Sequence, residues 1–157
     1  GEVMGFDSKF HRAFYKAQLG AGTQLPTDGK VFVSIKDDDK TPLMVEAVNI
    51  LVDMGFEIVS TGGTQEWLAT QGITAKFVEK AHIQNRRTIV DHMKDNEITL
   101  VYNTTEGQQA IDDSRNIRQV ALYDKIPYFT TAAGAHAASC AMKAREEGDL
   151  VVRALQG

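Results

Sequence analysis

With a single cysteine, Cys140, in 157 residues, the chain cannot close an internal disulfide. Cys140 sits in the small-residue run Ala137-Ala138-Ser139-Cys140-Ala141, which points to a buried thiol in a reducing compartment rather than to a catalytic one. Excess charge of one sign is lacking as well. Lys and Arg number 17 against 21 Asp and Glu, a net charge of −4, so nothing draws the chain as a whole to nucleic acid or to an acidic membrane, and any anion site has to be local. No apolar run is long enough to span a bilayer and no secretory leader is present, so the expected location is the cytoplasm. An initiator Met is missing too: Gly1-Glu2-Val3-Met4-Gly5 begins abruptly in a turn-like stretch, as a piece of something longer would.

Chemical signatures are also sparse. Neither GxGxxG nor GxxxxGK[ST] occurs after a strand, so neither dinucleotide nor nucleoside triphosphate binding is indicated. His82 and His92, with Asp91 beside the latter, pair with no nucleophile and lack metal-ligand spacing. Asp37, Asp38 and Asp39 cannot easily face one ion together and are flanked by Lys36 and Lys40, which makes them a charged loop. No catalytic residue, metal ligand or cofactor is therefore assigned to this chain.

What is present is an ordered alternation. The length suits one domain of ordinary size with a short appendage. Phe10, Ala13, Phe14 and Ala17 recur at helical spacing over Asp7–Leu19, and Gly20 to Gly29 reads as a linker with a turn, placing a boundary between residues 1–28 and 29–157. Beyond it, strand-like runs alternate with helical patterns: Val31–Ile35, a helix from Thr41-Pro42 closed by Gly55, Phe56–Val59, a helix stopped by Gly72, and an outer strand over Ile73–Val78. Thr88 is a cap for a short helix, Ile98–Tyr102 a central strand, and Pro127–Thr130 a short fifth strand. A helix through Ile117, Val120 and Ala121, restarted by Asp112 or Asp113, precedes that fifth strand; the last helix runs from Ala133 to Glu147, ended by Gly148 and followed by an extended Leu150-Val151-Val152. The fold class expected is α/β, a doubly wound, mostly parallel five-stranded sheet covered by helices.

In such a sheet the crevice lies beyond the carboxyl ends of the strands. Lys36–Lys40, Ser60-Thr61-Gly62-Gly63-Thr64, Glu79-Lys80, Asn103-Thr104-Thr105 and Thr130-Thr131 all directly follow expected strands and should gather at one edge. Lys40 and Lys80 supply charge, Thr61, Thr64 and Thr105 hydroxyls, Asn103 an amide, and the Gly62-Gly63 pair lets backbone N–H groups approach a ligand at a helix start. That set matches an oxyanion with several acceptor atoms, phosphate better than a lone carboxylate. The plain alternative is that these residues only cap helices and solvate turns.

Taken together, these pieces resemble the carboxyl-terminal allosteric domain of the carbamoyl-phosphate synthetase large subunit. Ala13-Phe14-Tyr15-Lys16-Ala17-Gln18-Leu19, Val33-Ser34-Ile35, Asp39-Lys40, Thr61-Gly62-Gly63-Thr64, Val101-Tyr102-Asn103-Thr104-Thr105-Glu106-Gly107, Ser114-Arg115-Asn116-Ile117-Arg118 and Thr130-Thr131 follow in that family's order over essentially the whole chain. The resemblance implies a methylglyoxal-synthase-like, Rossmann-like fold used for regulation, with residues 1–28 the tail of the preceding synthetase domain. Lys40, Thr61, Thr64, Lys80, Asn103, Thr104 and Thr105 then hold the phosphate of a UMP- or IMP-type nucleotide, and Asp113 meets its ribose. Tyr128 and Thr130 form half of an ornithine site shared with the missing synthetase domain. Implied partners are the rest of the large subunit and the glutaminase small subunit, in an ATP-dependent ligase of arginine and pyrimidine biosynthesis; ATP, Mg and K belong to the absent domains.

The chain departs from that pattern in two places, Gln84-Asn85-Arg86-Arg87 without a proline and Gln108-Gln109 where a basic residue is common. The enzyme alternative is a methylglyoxal-synthase-like phosphate lyase. It would need a carboxylate in a Gly-Gly-Asp-type loop, which is absent, and Asn103-Thr104 stands where an Asp-Pro is typical. A docking module without ligand is the third reading.

Overall fold

The computed structural model describes residues 25–80, 87–104 and 108–156, with backbone alone over 108–113 and 150–156. The helix expected over 7–19, His82 and Thr105 lie outside the described residues.

The first strand, β1 (Lys30–Ser34), is apolar without alternation because both of its faces are covered, and Val31, Phe32 and Val33 are fully buried. A single 3-10 turn over Asp37–Asp39 leads to α1 (Pro42–Asp53). Thr41 starts that helix as expected, its hydroxyl accepting the Met44 N–H at 3.4 Å with Pro42 in the first turn. Gly55, at φ 96°, turns the chain out of α1 into β2 (Glu57–Ser60), and Gly72, at φ 79°, does the same after α2 (Gly62–Thr70). There follow β3 (Lys76–Phe77), α3 (Ile89–Lys94), β4 (Ile98–Asn103), α4 (Gln108–Tyr123), β5 (Tyr128–Phe129) and α5 (Ala132–Gln156).

The five strands pair in parallel in the order β3-β2-β1-β4-β5. From the central β1 the chain winds outward through β2 and β3, then returns to the other side of β1 for β4 and β5. The direction of winding therefore reverses between β1 and β4. One face packs Val31, Val33, Leu100 and Tyr102 against Leu51, Leu68 and Met142 of α1, α2 and α5; the other packs Phe32, Val59 and Val101 against Ile89, Met93, Ile117 and Ala121 of α3 and α4. A buried polar thread crosses the first layer. Tyr102 Oη and Ser139 Oγ are 2.6 Å apart, and the serine donates to the Ala47 carbonyl at 2.8 Å.

Four local expectations need correction. Helix α5 runs through Gly148 to Gln156, and Leu150-Val151-Val152 is helical rather than extended. A glycine costs a helix interior about 1 kcal/mol, which good helix formers on both sides offset, and Gly148 keeps ordinary helical φ. Helix α4 starts at Gln108 and passes through Asp112 and Asp113 without a restart. Strands β3 and β5 are two residues each, shorter than the patterns Ile73–Val78 and Pro127–Thr130, because each sits at a sheet edge with one neighbour. Cys140 is partly rather than fully buried, its Sγ 3.7 Å from Nε2 of His136 one helical turn earlier.

Candidate functional site

The register brings the strand ends together. Ser34, the last residue of β1, pairs with Asn103, the last of β4, while Val33 pairs with Ser60 at the end of β2. Just past these ends lies a cavity of about 230 Å³ at the switch point. Five of the residues singled out from sequence line it: Lys40, Thr61, Thr64, Lys80 and Thr104. Lys36, Asp37 and Gly63 line it as well, within stretches expected at this edge, whereas Ser34 was not expected there. Ser34 was legible in hindsight, as the polar residue closing an otherwise apolar central strand.

The threonines divide their work. Thr61 occupies the N-cap position of α2 yet makes no side-chain cap hydrogen bond; its Oγ1 stands 3.2 Å from Ser34 Oγ at the cavity wall. The Thr61 hydroxyl is therefore not spent on capping α2. Thr64, in the first turn of α2, is buried, and its hydroxyl accepts the Ile35 N–H at 2.9 Å, tying the helix start to the end of β1. Thr104 does the same for the next loop, accepting the Lys36 N–H at 2.9 Å. Gly63 stands close beneath Lys40, since a Cβ there would lie 4.0 Å from Nζ.

Two ammonium groups belong to this polar lining. Lys40 Nζ donates to Asp37 Oδ1 at 2.7 Å, an i,i+3 pair across the 3-10 turn in which the Asp37 side chain is 86% exposed and that of Lys40 only 19%. Lys80 Nζ donates to Ser34 Oγ at 3.4 Å and to Asn103 Oδ1 at 3.2 Å. The arrangement joins ammonium groups and hydroxyls at the start of a helix, the chemistry that binds an oxyanion.

Asn103 is placed differently from the direct ligand expected. It is fully buried and does not line the cavity; it meets Lys80 from behind, and its amide donates to Ser114 Oγ at 2.9 Å and Tyr128 Oη at 2.7 Å. Tyr128 thus belongs to the same polar cluster, with the Arg118 guanidinium 5.4 Å above its ring, whereas Thr130 is exposed beyond β5. Asp113 is on α4, described by its backbone alone.

The other candidates serve structure. The Asp91 carboxylate accepts the Thr88 N–H at 2.9 Å and hydroxyl at 3.3 Å, a capping box for α3 that holds its pKa below the ordinary value. His92 Nδ1 lies 3.2 Å from Glu97. Asp39 pairs with Lys36 at 3.9 Å. A larger groove of about 640 Å³ runs along α1 past Val45, Trp67 and Lys143; it shares Lys40 with the strand-end cavity, and the carboxylates Glu46 and Asp53 line it beside its donors. Among the described residues no cluster of His, Cys, Asp and Glu suits a metal ion, and no helix is long and apolar enough to cross a membrane.

A family model for the MGS-like domain matches residues 43–130. The chain is 47% identical to the carbamoyl phosphate synthase large chain of Rhizobium meliloti over 156 residues, covering 99% of this chain and 13% of that protein. It is 47% identical to the protein of the same name from Myxococcus xanthus, covering 99% and 14%, and 44% identical to that of Mesorhizobium japonicum, covering 99% and 13%. The chain thus spans about one-seventh of the length of the curated relatives it matches.

Proposed function

The chain belongs to the MGS-like domain family, and from that premise we propose that it is the regulatory domain of a carbamoyl phosphate synthase large chain, taking a phosphate-bearing effector at the strand-end cavity. The observation that supports this most is the convergence of Lys40, Lys80, Thr61 and Ser34 on one small cavity at the switch point, with Thr61 not used as a cap. The effector is a nucleoside monophosphate of UMP or IMP type. Its phosphate sits among Lys40, Lys80, Thr61, Thr64 and Thr104, with Asn103 holding Lys80 from behind; Thr105 is a further expected phosphate ligand and Asp113 the expected ribose ligand. Tyr128 and Thr130 contribute to an ornithine site completed by the synthetase part of the same large chain. The chain itself carries no catalysis. ATP, Mg and K act in the synthetase part, the small subunit supplies ammonia from glutamine, and the whole serves arginine and pyrimidine biosynthesis in the cytoplasm.

Regulation requires that the effector bind two states of the whole protein unequally. Here the difference would arise where this domain, with residues 1–28, packs on the synthetase core. Calorimetry with UMP, IMP and inorganic phosphate tests the site directly, and saturable heat is expected for all three. Absence of saturable heat at millimolar ligand sinks the reading.

One observation favours a second reading, a lyase acting on dihydroxyacetone phosphate: Asp37 places a carboxylate in the lining of the cavity. That reading requires turnover of dihydroxyacetone phosphate that Asp37→Asn abolishes. On the regulatory reading there is no turnover to lose.

A further inference from the structure

The contacts behind the cavity form a chain whose direction is fixed by chemistry. Lysine only donates, so the Asn103 atom 3.2 Å from Lys80 Nζ is the carbonyl Oδ1, and Nδ2 points the other way. Nδ2 has two hydrogens, and it has two partners, Tyr128 Oη at 2.7 Å and Ser114 Oγ at 2.9 Å. Because Asn103 is fully buried, water does not replace a lost partner cheaply. The amide is planar, so its two ends cannot move independently.

We propose that Tyr128 and Ser114 are positioning residues of the anion site: through the Asn103 amide they hold the Lys80 ammonium at the cavity, and occupancy of the cavity is transmitted back to the Tyr128 hydroxyl. The inference rests on the anion-site reading and extends it to the face where β5 meets α4. An anion that draws Lys80 forward takes a donor from Oδ1, and the amide can recover one only by turning. Turning strains the bonds to Tyr128 and Ser114. The Tyr128 ring, stacked beneath Arg118, then shifts with its hydroxyl, so a buried change at the cavity reaches a charged group on the surface of α4. Conversely, removing the tyrosine hydroxyl leaves one Nδ2 hydrogen unpaired and frees the amide to turn away from Lys80.

The test is titration of inorganic phosphate into this chain and its Tyr128→Phe and Ser114→Ala variants, by calorimetry and by NMR of the Asn103 side-chain amide. Tyr123→Ser, an exposed tyrosine at the end of α4, is the control. In the wild type the Asn103 amide signals move in step with saturation. Tyr128→Phe weakens phosphate roughly threefold to tenfold, the affinity equivalent of one net hydrogen bond, and Tyr123→Ser leaves it unchanged. If Tyr128→Phe does not fold, as judged by its thermal transition, Ser114→Ala carries the same expectation. Unchanged phosphate affinity in a folded variant, or Asn103 signals indifferent to phosphate in the wild type, overturns the relay while leaving the anion site standing. A wild type that takes up no phosphate overturns the anion site, and the relay with it.

Discussion

The two edges of the sheet are both rich in charge, yet they treat it differently. At the amino-terminal edge cations and carboxylates alternate in a continuous series. Lys76 and Lys30 meet Glu57 at 3.0 and 3.6 Å, Lys30 also meets Glu97 at 3.6 Å, and Arg87 bridges Glu97 to Asp95. Glu97 is accordingly held down to about 2, first by Arg87 and then by His92, and Glu57 is lowered by Lys76. At the carboxyl-terminal edge Lys80 rests on two neutral oxygens, and Lys40 on a carboxylate that is itself 86% exposed. There the Ser34 hydroxyl and the Asn103 amide oxygen orient the Lys80 ammonium at the cavity it lines, where the winding reverses. Net charge says nothing of this, because the chain as a whole is acidic.

The sharpest way to break the contrast is Lys80→Ala. Losing a charge-assisted contact of about 1.5–3 kcal/mol should weaken phosphate and nucleoside monophosphates by roughly 10- to 100-fold, with nucleosides little affected, as read by calorimetry. Equal loss for both ligand classes would put Lys80 outside the phosphate site. Thr88→Ala probes the segment between the two edges, where the Ile89 N–H bonds the Glu79 carbonyl at 2.8 Å beside Lys80. With its buried capping hydroxyl gone, urea unfolding should show a loss of about 1 kcal/mol, and an unchanged midpoint would deny the cap a role. The smallest effect is expected from Glu97→Gln. Glu97 titrates lower in the folded chain than its ordinary 4.5, so its contribution is present above about that pH and fades as pH falls toward about 2. The variant should therefore lose stability less steeply between those limits in thermal melts at stepped pH, and should bind phosphate at pH 7 as the wild type does. A weakened affinity would mean that the two edges are coupled.

Much of the fold was legible because its signals are local. Thr41-Pro42 at the start of α1, the glycines Gly55 and Gly72 that end α1 and α2, and the unbroken apolar run of β1 each express one short-range requirement, a cap, a left-handed residue or a strand covered on both faces. The gathering of Lys40, Thr61, Thr64, Lys80 and Thr104 followed from those elements plus the geometry of parallel sheets. The ends of α5 and the halves of α4 were harder to read, since Gly148 and Asp112 are stop or cap signals that their neighbours outweigh.

From its sequence alone the chain determines a parallel α/β sheet, the family to which it belongs, and a polar strand-end edge. Only the tertiary structure decides which side chains face the cavity and which stand behind it. Thr61 gives up its cap for Ser34, 27 positions away; Asn103 turns its carbonyl to Lys80, 23 away, and its amide to Tyr128, 25 away. Periodicity and propensity act over a few residues, whereas a hydrogen-bond partner at such separations is set by strand order and register, which exist only once the sheet has assembled.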